Sequence, residues 1–271
     1  MNQEKSQIVE DQLKFFNENA IQQKPDLTAP IFKDYVSKEQ TSGFIWLGKR
    51  KRILDYGCGT GTSIDAFLKD NPCGTPLFIG VDIADLAIQK VRRKYPEYTF
   101  YSIKDNKIPQ ILDDSMDGAY LLHVLHHSHE HDAIFKGIYS KLEKGGKFFL
   151  SDLSSNNPII KLFRGLFVLS PDFIKRRFRD DLVVDGSIPE KYKVDPEAII
   201  KKLKKTGFSI QEVGYGHLAL FLFAWVDRFV PLSRWAFFRR LYKTLGSIEE
   251  RLLKYRFFQK SAEVFYIKCI K

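Results

Sequence analysis

The sequence predicts an α/β fold, a parallel sheet whose strands are joined by crossover helices. Three observations predict it. From Arg52 onward, short apolar runs alternate with helix-like segments, the rhythm of β-α-β units. A glycine-rich turn, Gly57-Cys58-Gly59-Thr60-Gly61, stands between one such run and the helix-like stretch after it. An aspartate, Asp82, closes the next apolar run.

Residues 1–50 are polar with scattered aromatics. Apolar positions near Ile8, Leu13 and Phe16, then Ile31 and Tyr35, recur at helical spacing and predict two helices. Strands are expected at Arg52–Tyr56, Leu77–Val81, Thr99–Ile103, Asp117–Leu122, Lys147–Asp152, Ser209–Tyr215 and Glu263–Ile270, each a short run rich in β-branched, aromatic or other apolar residues. Helices are expected at Thr62–Leu68, Asp85–Lys94, Ala133–Leu142 and Pro196–Thr206. Gly145-Gly146 is expected to close one helix before the fifth strand. Two segments break the rhythm, Leu153–Lys193 and His217–Lys260.

Composition sets the outer limits. The chain has 271 residues, 44% apolar and 28% charged, with 23 Phe, so a core forms and wholesale disorder is excluded. Three cysteines, Cys58, Cys73 and Cys269, make no CxxC pair, which argues against a disulfide scaffold or a structural zinc. The net charge of +10 is unevenly spread: residues 1–200 hold 28 basic and 28 acidic residues, whereas 201–271 hold 15 and 5. A basic end suits an anionic partner, or is simply solvated. The N-terminal stretch is charged and has no apolar run, so no signal peptide is expected. The longest uncharged apolar stretch, Val213–Val226, is 14 residues, short of a membrane span. The expected location is the cytoplasm, with attachment to the inner face of the membrane left open.

The run Ile53-Leu54-Asp55-Tyr56-Gly57-Cys58-Gly59-Thr60-Gly61-Thr62 carries the strongest chemical signal. Glycines allow backbone angles closed to other residues and let a ligand approach the main chain. The spacing is G-x-G-x-G, and position 62 is Thr, so the dinucleotide fingerprint fails at its third glycine. No Gly-Lys-Ser/Thr follows, so a phosphate-cradling P-loop is absent. Asp82, 21 residues after Gly61, is placed to bond ribose hydroxyls. Loop and carboxylate together describe a nucleoside cofactor without demanding a pyrophosphate.

Asp55 to Gly61 resembles the first motif of class I S-adenosylmethionine-dependent methyltransferases. Asp117-Gly-Ala-Tyr-Leu-Leu-His-Val-Leu-His-His127 resembles the fourth strand and the "LHH" segment after it. Leu142-Glu-Lys-Gly-Gly-Lys-Phe-Phe-Leu150 resembles the "LKPGG" turn, and Thr206-Gly-Phe208 the "aGF" turn. The likeness covers roughly residues 50–215 and the last strand, and is nearest the ubiquinone and menaquinone methyltransferase branch. It implies a Rossmann-like, doubly wound seven-stranded sheet with an antiparallel last strand, and S-adenosyl-L-methionine as cofactor. It also implies a set of contacts. Asp55, Tyr56, Cys58 and the backbone of Gly57, Gly59 and Gly61 lie at the methionine portion, Asp82 and Ile83 at the ribose, and Leu122 and His123 alongside. The family's adenine-binding Asp falls at Lys104 by strand alignment; Asp105 serves if the turn shifts by one.

Five of six histidines cluster: His123, His126, His127, His129 and His131. A metal site is one reading, but no carboxylate–histidine motif such as HExxH is present, and no metal is expected. A general base is another, with His127 or His126 as candidates, since imidazole titrates near neutral pH. The plainer reading is that these residues shape the pocket.

The insert His217–Lys260 should leave the carboxyl end of the sixth strand, the ligand edge of such sheets. It has 11 aromatics in 44 residues, with 9 basic and 3 acidic side chains. Ser247-Ile-Glu-Glu250 resembles a capping box, so a new helix is expected to start there. Trp225 and Trp235 suit a headgroup boundary. A lid packed on the domain and a membrane contact are both open. The chain is thus expected to comprise an N-terminal helical cap (1–50), a cofactor-binding core (51–216 and 261–271) and an aromatic, basic insert (217–260). The expected activity is methylation of a lipophilic small molecule. Rivals are a protein or nucleic-acid methyltransferase, or a cofactor-binding membrane scaffold. A nucleic-acid acceptor is disfavoured because no Asn/Asp-Pro-Pro-aromatic motif follows the fourth strand.

Overall fold

A computed structural model of the chain describes residues 30–70, 76–104, 106–128, 130–154 and 194–271, together with Asn17, Pro158 and Leu162. The expected first helix around Ile8–Phe16, most of Leu153–Lys193, and Cys73, Asp105 and His129 lie outside the described residues.

Seven strands form one sheet: β1 Arg52–Tyr56, β2 Leu77–Asp82, β3 Thr99–Ser102, β4 Met116–Leu122, β5 Leu142–Leu153, β6 Ser209–Gly216 and β7 Val264–Ile270. Their spatial order is β3-β2-β1-β4-β5-β7-β6. Neighbours from β3 to β5 pair in parallel, and β7 runs antiparallel between β5 and β6. The expected sheet is therefore present, antiparallel last strand included. Helices α1 Pro30–Leu47, α2 Thr62–Asp70 and α3 Asp85–Lys94 cover one face. There Phe44, Leu47, Phe67, Phe78, Tyr120 and Phe149 pack together, all at most 1% exposed. Helices α4 His131–Lys141 and α5 Pro196–Thr206 cover the other, over Leu54, Leu121, Phe148 and Ile267. Both faces are buried, which is why the parallel strands read as continuous apolar runs.

Local sequence explains the element ends. The Asp195 side chain accepts from Glu197 N–H, Pro196 follows, and Gly207 ends α5 at φ 115°. The one acidic residue early in β4, Asp117, accepts from Lys51 and Arg52 N–H at 2.8 Å each and so fixes the entry to β1.

Two expectations are corrected. Gly145-Gly146 does not close a helix, because α4 ends at Lys141 and β5 begins at Leu142. The register jumps from Met116↔Leu142 to Gly118↔Lys147, so the glycines form an irregular stretch within β5, where Gly145 donates to Lys271 C=O. Nor does a helix start at Ser247. Helix α7, Ala236–Leu252, runs straight through, and Ser247 Oγ donates back to the Lys243 carbonyl.

The insert also holds α6 Leu220–Phe229, a 3-10 turn at Leu232–Arg234 and the short α8 Arg256–Gln259. It leaves where Gly216 of β6 faces Val264 of β7, which in turn faces Leu153 of β5. That is the carboxyl edge of the parallel strands. Helix α1 grips this exit. His217 Nε2 lies 2.7 Å from Glu39 Oε1, both side chains 7% exposed, and Lys38 pairs with Glu250 of α7. Among the described residues no helix is long and apolar enough to cross a membrane.

Candidate active site

The turn after β1 is held from below. Gly57 and Cys58 N–H donate to the Val81 carbonyl at 2.8 and 3.1 Å. Gly57, Gly59 and Gly61 all have positive φ, at 81°, 49° and 83°. A side chain at Gly57 would strike Val124 Cγ2 at 2.3 Å, and one at Gly61 the Tyr95 ring at 2.7 Å. At Gly59 a Cβ would meet nothing within 4 Å. Two glycines are thus required by packing, and the third opens a cradle of bare main chain.

Asp82, the last residue of β2, borders that cradle. Its Oδ2 accepts from Gly59 N–H at 2.8 Å and its Oδ1 from Ala84 N–H at 2.9 Å. Burial raises its pKa against these bonds. Each carboxylate oxygen has two lone-pair sites, so hydroxyls can still be received.

Three of the expected cofactor residues turn their side chains inward. Asp55 is 2% exposed, and its Oδ2 accepts from Ser63 Oγ at 2.6 Å and Tyr120 OH at 2.8 Å. Burial pushes its carboxyl up to about 7, opposed by those two hydrogen bonds. It ties β1 to α2 and β4 beneath the turn. Tyr56 is 3% exposed and donates to Asn106 Oδ1 at 3.1 Å. Cys58 is 3% exposed, with its thiol pKa raised chiefly by burial. These residues border the cradle with main chain rather than side chain. Ile83, Leu122 and His123 are partly buried, and His123 is held at φ 55° with its N–H on the Ser151 carbonyl at 2.9 Å.

The histidines occupy a 3-10 turn, Leu125–His127, at the same carboxyl edge. His126 is 7% exposed, and its Nδ1 sits 2.5 Å from Asp152 Oδ1. Asp152, at the end of β5 and 0% exposed, also accepts from Leu125 N–H and Leu153 N–H at 2.7 Å each. Burial alone would raise its pKa. The charge and hydrogen bond of His126, the charge of His123 and the Leu153 N–H outweigh burial and hold it below the usual range. Asp152 is therefore held in its ionised form, with His126 Nδ1 facing it. The His127 ring lies 3.9 Å from that of His126, and its pKa falls to about 3, through burial first and His126 second. His131 instead starts α4, with Nε2 2.9 Å from the Leu125 carbonyl. Among the described residues no group of three or more His, Cys, Asp or Glu is placed to hold a metal.

Asp152 and Tyr120 escaped the sequence reading. Asp152 carried a signal, an acidic residue at the carboxyl end of an apolar strand. Tyr120 carried none, since a tyrosine in a buried strand reads as core.

An open glycine cradle with an acidic residue beside it, at the carboxyl edge of a sheet ordered 3-2-1-4-5-7-6, defines an enzyme that binds a nucleoside cofactor. The family described as "Methyltransferase domain" matches residues 33–213, more than half of the chain. The chain belongs to that family and is an S-adenosylmethionine-dependent methyltransferase. No curated protein matches its sequence. Solved structures of low identity share the fold. The [4+2]-cyclase SpnF is 14% identical, over 88% of this chain and 81% of that one, at TM-score 0.54. An S-adenosylmethionine-dependent methyltransferase from Mesorhizobium loti is 14% identical, over 89% and 100%, at 0.54. Phosphoethanolamine N-methyltransferase 2 of Haemonchus contortus, in complex with S-adenosyl-L-methionine, is 17% identical, over 89% and 60%, at 0.52.

Proposed function

We propose that this enzyme methylates a lipophilic small molecule, of the class handled by the quinone branch of the family (quinone precursor, polyketide, lipid or glycolipid). We place it in the cytoplasm, peripheral to the inner face of a membrane. One observation carries the acceptor class: the aromatic insert rises from the same sheet edge as the glycine cradle and His126. A small-molecule acceptor also suits the family, and SpnF and the phosphoethanolamine enzyme bear names of small-molecule chemistry.

The bound cofactor supplies an electrophilic methyl group on a sulfonium. The main chain of Gly57–Gly61 would border its methionine portion, with Asp55, Tyr56 and Cys58 fixing that main chain from beneath. Asp82 would receive the ribose hydroxyls, Ile83, Leu122 and His123 would flank it, and Asp105 would meet the adenine. His126 is the better candidate for general base. Asp152 orients the His126 ring through Nδ1 at the sheet edge, the arrangement of a base held by a carboxylate. His127 binds a proton too weakly near neutral pH to serve.

The test combines calorimetric titration with S-adenosylmethionine and a mass-shift screen of lipid and aqueous extracts incubated with enzyme and cofactor. A product one methylene heavier in the lipid fraction is expected. Methylated protein or nucleic acid instead would overturn the acceptor class, and absent cofactor binding would favour a scaffold.

A further inference from the structure

We propose that the α6–α7 face of the insert is a lipid-binding surface. Its open apolar groove would take hydrocarbon from a bilayer rich in anionic lipid, and its arginines would meet the headgroups. This rests on the membrane placement proposed above, and specifies the surface and the lipid.

The groove, about 380 Å³, is lined by Leu222, Phe223, Val226, Leu232, Leu245 and Ile248. Its one charged lining residue, Glu249, spends its carboxylate on the backbone N–H groups of Leu218, Ala219 and Leu220. The groove thus presents no competing charge. Along its α7 rim, a row of apolar residues one turn apart faces water. Phe237 is 68% exposed, Leu245 37% and Ile248 47%, with Leu241 between them on the same row. Arg240, Thr244 and Arg251 form the adjoining row. Trp235, at 67% exposed, stands at the start of the helix. Of the twelve large hydrophobics exposed among the described residues, eight lie in 217–260. An apolar surface so concentrated marks an interaction site.

Charge selects the partner. The insert carries three carboxylates, and folding removes two from its surface: Asp227 is 0% exposed and Glu249 9%. The third, Glu250, is paired with Lys38. Eight of its basic residues are exposed. The exposed charge of the insert is thus dominated by basic residues, with Glu250 its one exposed carboxylate among the described residues and Arg256 paired with Glu197. Apolar residues flanked by arginines, with an indole at the boundary, suit an anionic bilayer surface.

The test is sedimentation of the full chain with phosphatidylcholine vesicles, with or without phosphatidylglycerol, at low and high salt. Binding is expected to the anionic vesicles only, to fall with salt, and to weaken at least tenfold in Phe237→Ser/Ile248→Ser. Phosphatidylglycerol brominated on its acyl chains should quench tryptophan fluorescence, and less so in Trp235→Phe. S-adenosylmethionine affinity should be unchanged in all these variants, which reports intact folding. Indifference to anionic vesicles, or binding untouched by Phe237→Ser/Ile248→Ser, would overturn the proposal. So would a self-associating chain that these substitutions make monomeric, since the face would then cover a second copy. An enzyme that methylates a lipophilic acceptor in detergent yet ignores vesicles would sink the surface and spare the acceptor class. Vesicle binding without any lipophilic product would do the reverse.

Discussion

The Glu249 carboxylate on α7 accepts the backbone N–H of Leu220, the first residue of α6, at 2.8 Å, and those of Ala219 and Leu218 at 2.6 and 3.1 Å. One side chain so satisfies the orphan donors of another helix thirty residues away in sequence, and its charge complements that helix's dipole. Glu249→Ala should cost about 1–2 kcal/mol of stability, the range for a lost N-cap, with α6 amides exchanging faster. Hydrogen exchange with α6 protection unchanged would refute the capping role.

Asp82→Ala should weaken S-adenosylmethionine binding by about 1.5–3 kcal/mol, the range for hydrogen bonds to a charged group. The fold should survive, because the Gly57 and Cys58 N–H bonds to Val81 remain. Calorimetry reads the affinity, and circular dichroism the fold.

Gly59→Val separates packing from binding. Its Cβ would meet no protein atom, so the only folding penalty is backbone strain at φ 49°, about 1–2 kcal/mol. Cofactor affinity should nonetheless vanish. A valine variant that binds normally would show the cradle is not the cofactor site.

His126→Ala should lower turnover by about 10²–10⁴-fold with cofactor affinity kept, and Asp152→Asn should lower it while shifting the pH profile. His127→Ala should leave the chemical step far less affected. Equal losses in His126→Ala and His127→Ala would mean that neither ring acts specifically as base.

His127 also makes a stability prediction. Its pKa falls from 6.5 to about 3 on folding, so between those values the unfolded chain binds more protons than the folded one. Stability should therefore rise with pH across that window, and this contribution should be complete above it. His127→Gln should flatten part of the slope, as measured by denaturant unfolding at a series of pH values.

Much of the fold was legible because strand rhythm and glycine punctuation are local signals. The expected bounds of β1, α3 and α5 match those observed. The misses share a physical cause, which is that a distant partner decided the outcome. Ser247-Ile-Glu-Glu250 has the letters of a capping box, yet Glu249 caps α6, and helix α7 passes through. Gly145-Gly146 looks like a helix stop, but Gly145 donates to the Lys271 carbonyl just past β7, and β5 already includes it. In the site, the cradle and Asp82 could be read from spacing. That His126 rather than His127 is backed by a carboxylate could not, because Asp152 is 26 residues away on another strand.

The buried contact between Glu39 and His217 ties the insert to α1. His217 opens the segment, so excising 217–260 strips Glu39, at 6% exposure, of its imidazole. A buried polar group left without its hydrogen-bond partner is destabilising. A truncated protein that fails would then report a buried carboxyl on α1 left without its partner, not the loss of a substrate lid. Excision should be made together with Glu39→Gln, so that silence from the shortened chain speaks about catalysis alone.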